Sequence, residues 1–159
     1  MGGSQFSFKP KENLTRAKQE QLDACLTIPH FYISIDGWRY DKEKKKTMYT
    51  VEVGLDLDYE VLIFTTEKRY SEFHKLHTSL FQFSQQRNGN LLAFPPKKMF
   101  SQFDVNFVRD RQIKLNNYVS HLSSINWVIQ NQDFSNFIHY NEIKAKWVQK
   151  LLEQQALIY

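Results

Sequence analysis

Lys68-Arg69-Tyr70-Ser71-Glu72-Phe73 sets a guanidinium beside a phenol where an apolar, β-branched run gives way to a helical repeat. Arginine offers a planar fork of donors that grips phosphate through two parallel hydrogen bonds. A helix start adds backbone N–H groups and the positive end of the dipole. Tyr70 supplies a flat face for a sugar-like ring. A surface carboxylate paired with Arg69 would account for the same residues, so this segment alone leaves both readings open. Further on, Phe94-Pro95-Pro96-Lys97-Lys98-Met99-Phe100 stiffens a connection with two prolines and ends it in two cations and two apolar side chains. That order suits a membrane, with lysines for phosphates and Met99 and Phe100 for the acyl boundary. It also suits an ordinary proline connection whose Met and Phe turn inward. In Phe107-Val108-Arg109-Asp110-Arg111-Gln112, Arg111 shares a helical track with Phe107, Leu115 and Tyr118. A cation on an apolar stripe is expensive to bury unpaired, so it must face an anion or a cleft, or an internal salt bridge.

Other chemistries find little support. His74 and His77 are three residues apart on an expected helix, but no carboxylate or cysteine joins them, and two surface histidines are the simpler reading. Asp56, Asp58, Glu60 and Glu67 loosely echo a calcium loop, yet Val61 stands where that loop needs glycine and Leu62–Phe64 reads as strand. There is no Gly-rich phosphate loop, no Gly-x-Ser-x-Gly and no cysteine–histidine nucleophile pairing, so an enzyme, a metal and a cofactor are not expected. The single cysteine, Cys25, allows no intrachain disulfide. A net charge of +4 favours an anionic partner. Its cations are interspersed with acids, as in Arg109-Asp110-Arg111, which argues against nucleic acid. No apolar run approaches the roughly 20 residues of a membrane span. Met1-Gly2-Gly3-Ser4 reads as a leader and not as an acylation signal, because Phe6 occupies the position that signal gives to Ser or Thr.

These side chains need positioning elements. Residues 1–12 read as a polar, flexible lead-in, and Asn13 as the cap of a short helix over Leu14, Ala17, Leu22, Cys25 and Leu26, stopped by Pro29. Residues 31–36 and 47–57 alternate as strands and 59–66 is a third apolar, β-branched run, with Asp36-Gly37 as a turn signal and the charged stretch from Asp41 to Lys46 as a solvated hairpin tip. Residues 71–83 switch to helical period through Phe73, Leu76, Leu80 and Phe83, with Ser71 as the expected cap. Asp104 caps a second long helix through Leu122; a short helix surrounds Phe134 and Phe137. After Asn141 an amphipathic helix aligns Ile143, Trp147, Leu151 and Ile158. Strands first and helices later predict an α+β fold, a three-stranded antiparallel meander against a helical subdomain, with helical terminal extensions. The expected division is an extension over 1–28, a domain over 29–140 and a C-terminal amphipathic helix over 141–159.

Arg-Tyr-Ser-Glu-Phe, then Phe-Pro-Pro-Lys-Lys, then an arginine entering a long helix, in that order, resembles the PX (phox homology) domain of sorting nexins and related proteins. The resemblance covers roughly residues 31–140. It implies a basic pocket between sheet and helices that binds a phosphoinositide headgroup, most often phosphatidylinositol 3-phosphate. By motif position, Arg69 would hold the 3-phosphate, Tyr70 would stack under the inositol ring, Lys97 would meet the 1-phosphate and Arg111 the 4- and 5-hydroxyls. Lys98, Met99 and Phe100 would form a membrane-inserting loop. The resemblance further implies a cytoplasmic protein, peripheral on endosomal membranes and engaged in trafficking or sorting, with possible protein partners through its terminal helices. Leu92 stands where the family often has the first proline of Pro-x-x-Pro, which weakens any SH3-ligand role. The alternative is a protein-interaction scaffold on the same fold without specific lipid binding.

Overall fold

The computed structural model describes residues 4–87, 91, 93–97 and 104–158. The expected insertion-loop residues Lys98, Met99 and Phe100 lie outside this set, as does the side chain of Ile158.

The sheet has four strands and not the three expected, in the order β1-β4-β3-β2, all antiparallel. The strands β2 (Phe31–Asp41), β3 (Lys46–Asp56) and β4 (Glu60–Arg69) form the meander. The added strand is β1 (Gln5–Pro10), within the stretch expected to be flexible, and it pairs with β4. Phe6 lies opposite Phe64 with ring centroids 5.0 Å apart. The run is short and fully exposed, so its period-2 pattern is faint; the backbone groups along β4 give it a partner that local sequence does not display.

Two further expectations fail at turns. Asp36-Gly37 does not end β2: the strand continues through a register shift between Ile35 and Gly37, and the extra residue re-aims Asp36 toward Lys18. Asn13 belongs to a 3-10 turn, and Thr15 instead caps α1 (Arg16–Ala24) by accepting from the Lys18 N–H.

The inward face of β3 places Tyr49, Val51, Val53 and Leu55 in the main core, with Phe31, Ile33 and Ile35 from β2 and Leu62 and Phe64 from β4. The helices α2 (Tyr70–Arg87), α3 (Val105–Leu122), α4 (Asn126–Ile129), α5 (Gln132–Phe137) and the start of α6 (Tyr140–Ile158) cover that face. On the other face α1 lays Leu22 against Tyr32, Val61 and Ile63. Both faces of the sheet are thereby covered at the start of β2, which is why Tyr32 is as buried as Ile33.

The outer edge of β2 is closed by side-chain amides. Gln21 accepts from the Ile33 N–H, and Asn116 accepts from the Ile35 N–H at 2.8 Å. Gln112 donates to the Ile35 carbonyl at 3.1 Å, which fixes α3 beside the sheet. These bonds satisfy an edge that would otherwise offer pairing to another chain. The first half of α6 docks back on the domain: Ile143 is buried, Trp147 and Leu151 pack against the core, and the Trp147 Nε1–H donates to the Asp56 carbonyl at 2.8 Å.

Candidate functional site: a basic cleft between sheet and helices

Helix α2 follows β4 without a connecting residue, so Arg69 is the last strand residue and Tyr70 the first helical one. Ser71 lies within the helix and does not cap it. Glu72 reaches back to accept from the Arg69 N–H at 3.3 Å, one half of a capping box. Arg69 is pinned by its backbone while its side chain stays exposed, and among the described residues no carboxylate pairs with it. The neighbouring cation behaves differently: Lys68 lies over the Phe137 ring and 3.6 Å from Glu72. Strand alternation explains the contrast, since adjacent residues of β4 point to opposite faces.

Arg111 enters from the first half of α3, whose Asp104 cap accepts from the Asn106 and Phe107 N–H groups as expected. Leu115 and Tyr118, further along its track, are fully buried, so Arg111 stands where the core opens. Its guanidinium lies 3.9 Å from the Tyr70 ring centroid and 4.4 Å from that of Phe107. Its Nη2 donates to the Pro96 carbonyl at 2.9 Å. Its Nε–H is buried without an acceptor among the described residues. Burial pushes the Tyr49 phenol up in pKa, and Arg111 beside its hydroxyl opposes that rise.

Aromatic packing holds the proline segment. Phe94 stacks on His77 at 4.8 Å, meets Tyr118 edge-on at 5.2 Å and lies 5.4 Å from Tyr70. The Tyr70 hydroxyl donates to the Pro95 carbonyl at 2.6 Å. Lys97 follows, exposed, one residue past the carbonyl that Arg111 holds.

The result is a cleft of about 280 Å³ lined by Lys46, Thr47, Tyr49, Arg69, Tyr70, Ser71 and Arg111. Among the described residues that line it, none is acidic. Three of the four expected headgroup residues, Arg69, Tyr70 and Arg111, meet there, and Lys97 lies outside the lining on the segment that Arg111 borders. The cleft also contains Lys46 and Thr47, which the sequence reading missed by treating Lys46 as part of a solvated tip. No local pattern marks them; strand pairing brings them there, because Met48 lies opposite Arg69 and so sets the start of β3 beside the end of β4. One face of the Tyr70 ring is covered by Arg111, so in this state Tyr70 positions the arginine and the proline segment.

His74 and His77 form no metal clamp: His77 Nδ1 is 2.5 Å from the Tyr118 hydroxyl, and no group of three or more His, Cys, Asp or Glu side chains among the described residues could hold a metal. Burial first, and then His74, hold His77 below the ordinary histidine pKa of 6.5. A histidine depressed in the folded state takes up its proton less readily than in the unfolded chain. Stability is therefore expected to be full above about pH 6.5 and to decline as the pH falls from that value toward the folded pKa. Chemical denaturation at stepped pH checks this; a His77→Gln variant should lose that part of the slope, and an unchanged slope rules His77 out as its source.

The sequence profile of the PX domain matches residues 60–141, more than half of the chain. The PX domain-containing protein kinase-like protein of Rattus norvegicus is 31% identical over 93 residues, covering 58% of this chain and 15% of that protein. Sorting nexin-20 of Bos taurus is 26% identical over 135 residues, covering 82% of this chain and 42% of that protein. The chain thus spans less than half the length of these curated relatives. Among solved structures, a designed CISK-PX domain aligns with a TM-score of 0.53 at 23% identity, covering 66% of this chain and 95% of that one. The mouse SNX19 PX domain, solved with a bound sulphate ion, aligns with a TM-score of 0.50 at 24% identity, covering 66% and 92%. With the sheet, the helical layer and the motif order in agreement, this chain belongs to the PX domain family.

Proposed function

We propose that this chain is a non-catalytic reader of phosphatidylinositol 3-phosphate that holds its parent protein on endosomal membranes. PX family membership and sorting nexin relatives support phosphoinositide binding and membrane trafficking in general. The observation that carries the finer reading is the cleft, with no acid among its described lining residues, in which Lys46, Arg69 and Arg111 surround one opening. Its volume is near the lower limit of small-ligand sites, about 300 Å³. Arg69, unpaired with any carboxylate among the described residues, grips the 3-phosphate through its fork. Arg111 supplies its spare Nε–H and the outer guanidinium to ring hydroxyls. An inositol ring reaches the Tyr70 face once the guanidinium swings off it, a move of side-chain torsions only. Lys97, at the rim, faces the 1-phosphate that leads to the bilayer.

Sedimentation with vesicles of phosphatidylcholine, with and without phosphatidylinositol 3-phosphate, tests this. Selective pelleting on the phosphoinositide is expected; equal pelleting on both overturns the headgroup reading. Lys46→Ala is expected to weaken binding of the soluble headgroup inositol 1,3-bisphosphate about tenfold, the scale of one hydrogen bond to a charged group. Calorimetric titration measures it, and an unchanged affinity would place Lys46 outside the contact.

A further inference from the structure

The two edges of the sheet are finished differently. The β2 edge is closed by the side-chain amides of Gln21, Gln112 and Asn116. The β1 edge has no such closure among the described residues, and β1 is exposed along its whole length. The ladder shows which main-chain groups of β1 are spare. The Lys11 N–H donates to the Tyr59 carbonyl at 2.9 Å, one step beyond the Pro10–Glu60 pair. Alternation along an antiparallel pair then makes Lys9–Val61, Ser7–Ile63 and Gln5–Thr65 the hydrogen-bonded pairs. Phe6 and Phe8 therefore turn their N–H and C=O groups away from the sheet. Their rings lie on the helical face, Phe6 against Phe64 and Phe8 under the Lys150 ammonium at 4.8 Å, and each remains 41% exposed.

We propose that β1 pairs antiparallel with β1 of a second copy of this chain, about a two-fold axis at Ser7. The occupant follows from self-complementarity. With Ser7 opposite Ser7, Phe6 of each copy meets Phe8 of the other as a hydrogen-bonded pair, which satisfies the spare groups and sets ring beside ring twice. An axis at Phe8 would set Phe6 opposite Pro10, which has no N–H to give. An axis at Phe6 would set Phe8 opposite Ser4 and leave a single ring pair. Lysine and proline are common guards of an edge strand. Here Pro10 only ends the pairing, and Lys9 meets Gln5 of the second copy, so no like charges face each other.

The contact uses the same strand on both copies, so it closes as a dimer and does not grow into a filament. Two strands of this length bury less than the roughly 1,200 Å² of a stable interface, so the dimer is weak and depends on concentration. The cleft lies at the Gln5 end of β1, and the two-fold places the two clefts at opposite ends of the joined sheet. The pairing itself does not depend on what the cleft binds.

Sedimentation equilibrium of the parent up to about 0.5 mM is expected to show monomer and dimer in exchange. Gln5→Glu puts a carboxylate opposite Lys9 twice per dimer and should tighten it about threefold. Adding Lys9→Glu sets like charges there and should weaken the dimer to about threefold below the parent, although the net charge has fallen further. Bulk repulsion between cationic chains would instead favour the double variant. In a Cys25→Ser background, Ser7→Cys should oxidise to a linked dimer much faster than Lys9→Cys. The Ser7 pair is a non-hydrogen-bonded one, with Cα atoms about 4.5 Å apart and within disulfide reach, whereas the two Lys9 residues do not meet. Equal oxidation rates at the two positions overturn the proposal. A parent that stays monomeric throughout leaves this edge to a strand of another protein and overturns it as well. A dimer of unchanged affinity in both charge variants has its contact elsewhere, as on the exposed Val148 and Leu152 flank of α6, and also overturns it. The changed β1 positions are exposed, and a matching thermal unfolding midpoint shows that each variant is folded.

Discussion

Arg69→Ala protein is expected to remain in the supernatant with phosphatidylinositol 3-phosphate vesicles while unfolding at the same denaturant concentration as the parent. Removing one partner of a desolvated, bidentate charge pair costs about 3 kcal/mol or more, a loss of over a hundredfold in affinity. Nothing in the fold compensates. Lys68 is drawn to Phe137 and Glu72, Arg111 to Tyr70 and Pro96, and Lys46 is a point charge without a planar fork. Stability should hold because the Arg69 side chain is exposed and pairs with no carboxylate among the described residues. Arg69→Lys is the informative control: it keeps the charge and loses the paired geometry, so binding should be partial. Wild-type affinity in the alanine variant would show that the 3-phosphate is held elsewhere.

The second large effect is structural. Gly54→Ala is expected to destabilise the fold by about 3 kcal/mol, read as a drop in the urea midpoint. Gly54 lies opposite Tyr32 in the β2–β3 ladder, and a Cβ there would overlap the Tyr32 ring, with its hydroxyl oxygen 2.8 Å away. The ring has little freedom to retreat. Its hydroxyl donates to Glu52 at 2.6 Å, and Glu52 also receives Lys18 at 2.6 Å. Lys18 holds Asp36 at 2.9 Å as well; burial alone would lower its pKa, but the bonds to Glu52 and Asp36 raise it. A Tyr32→Leu background should shrink the cost of the glycine change, because the clash belongs to the pair. A near-neutral Gly54→Ala in the parent would mean the ring is mobile.

The two effects separate two layers of the molecule. The network of Lys18, Tyr32, Glu52 and Asp36 lies on the α1 side of the sheet and fixes strand register. The cleft lies at the end of the meander where the core opens, and its side chains are held by aromatic faces and backbone carbonyls without carboxylate partners among those that line it. Ion pairing is thus used where rigidity is needed, while the cations at the cleft remain available to an incoming anion.

Local pattern determined much of this protein: three meander strands, the two long helices, the Asp104 cap, and the order of the residues Arg69, Tyr70, Lys97 and Arg111. Period-2 and period-3.6 alternation report which face is apolar, and proline and capping residues act within a turn of themselves. Pairing across the sheet is different, because it depends on partners far away in the chain. It alone recruited Gln5–Pro10 as a fourth strand, carried β2 past Asp36-Gly37, and brought Lys46 to the cleft through the Met48–Arg69 register. Side-chain contact likewise decided that Arg111 covers the ring of Tyr70, since two residues 41 positions apart acquire a distance only after the helices dock.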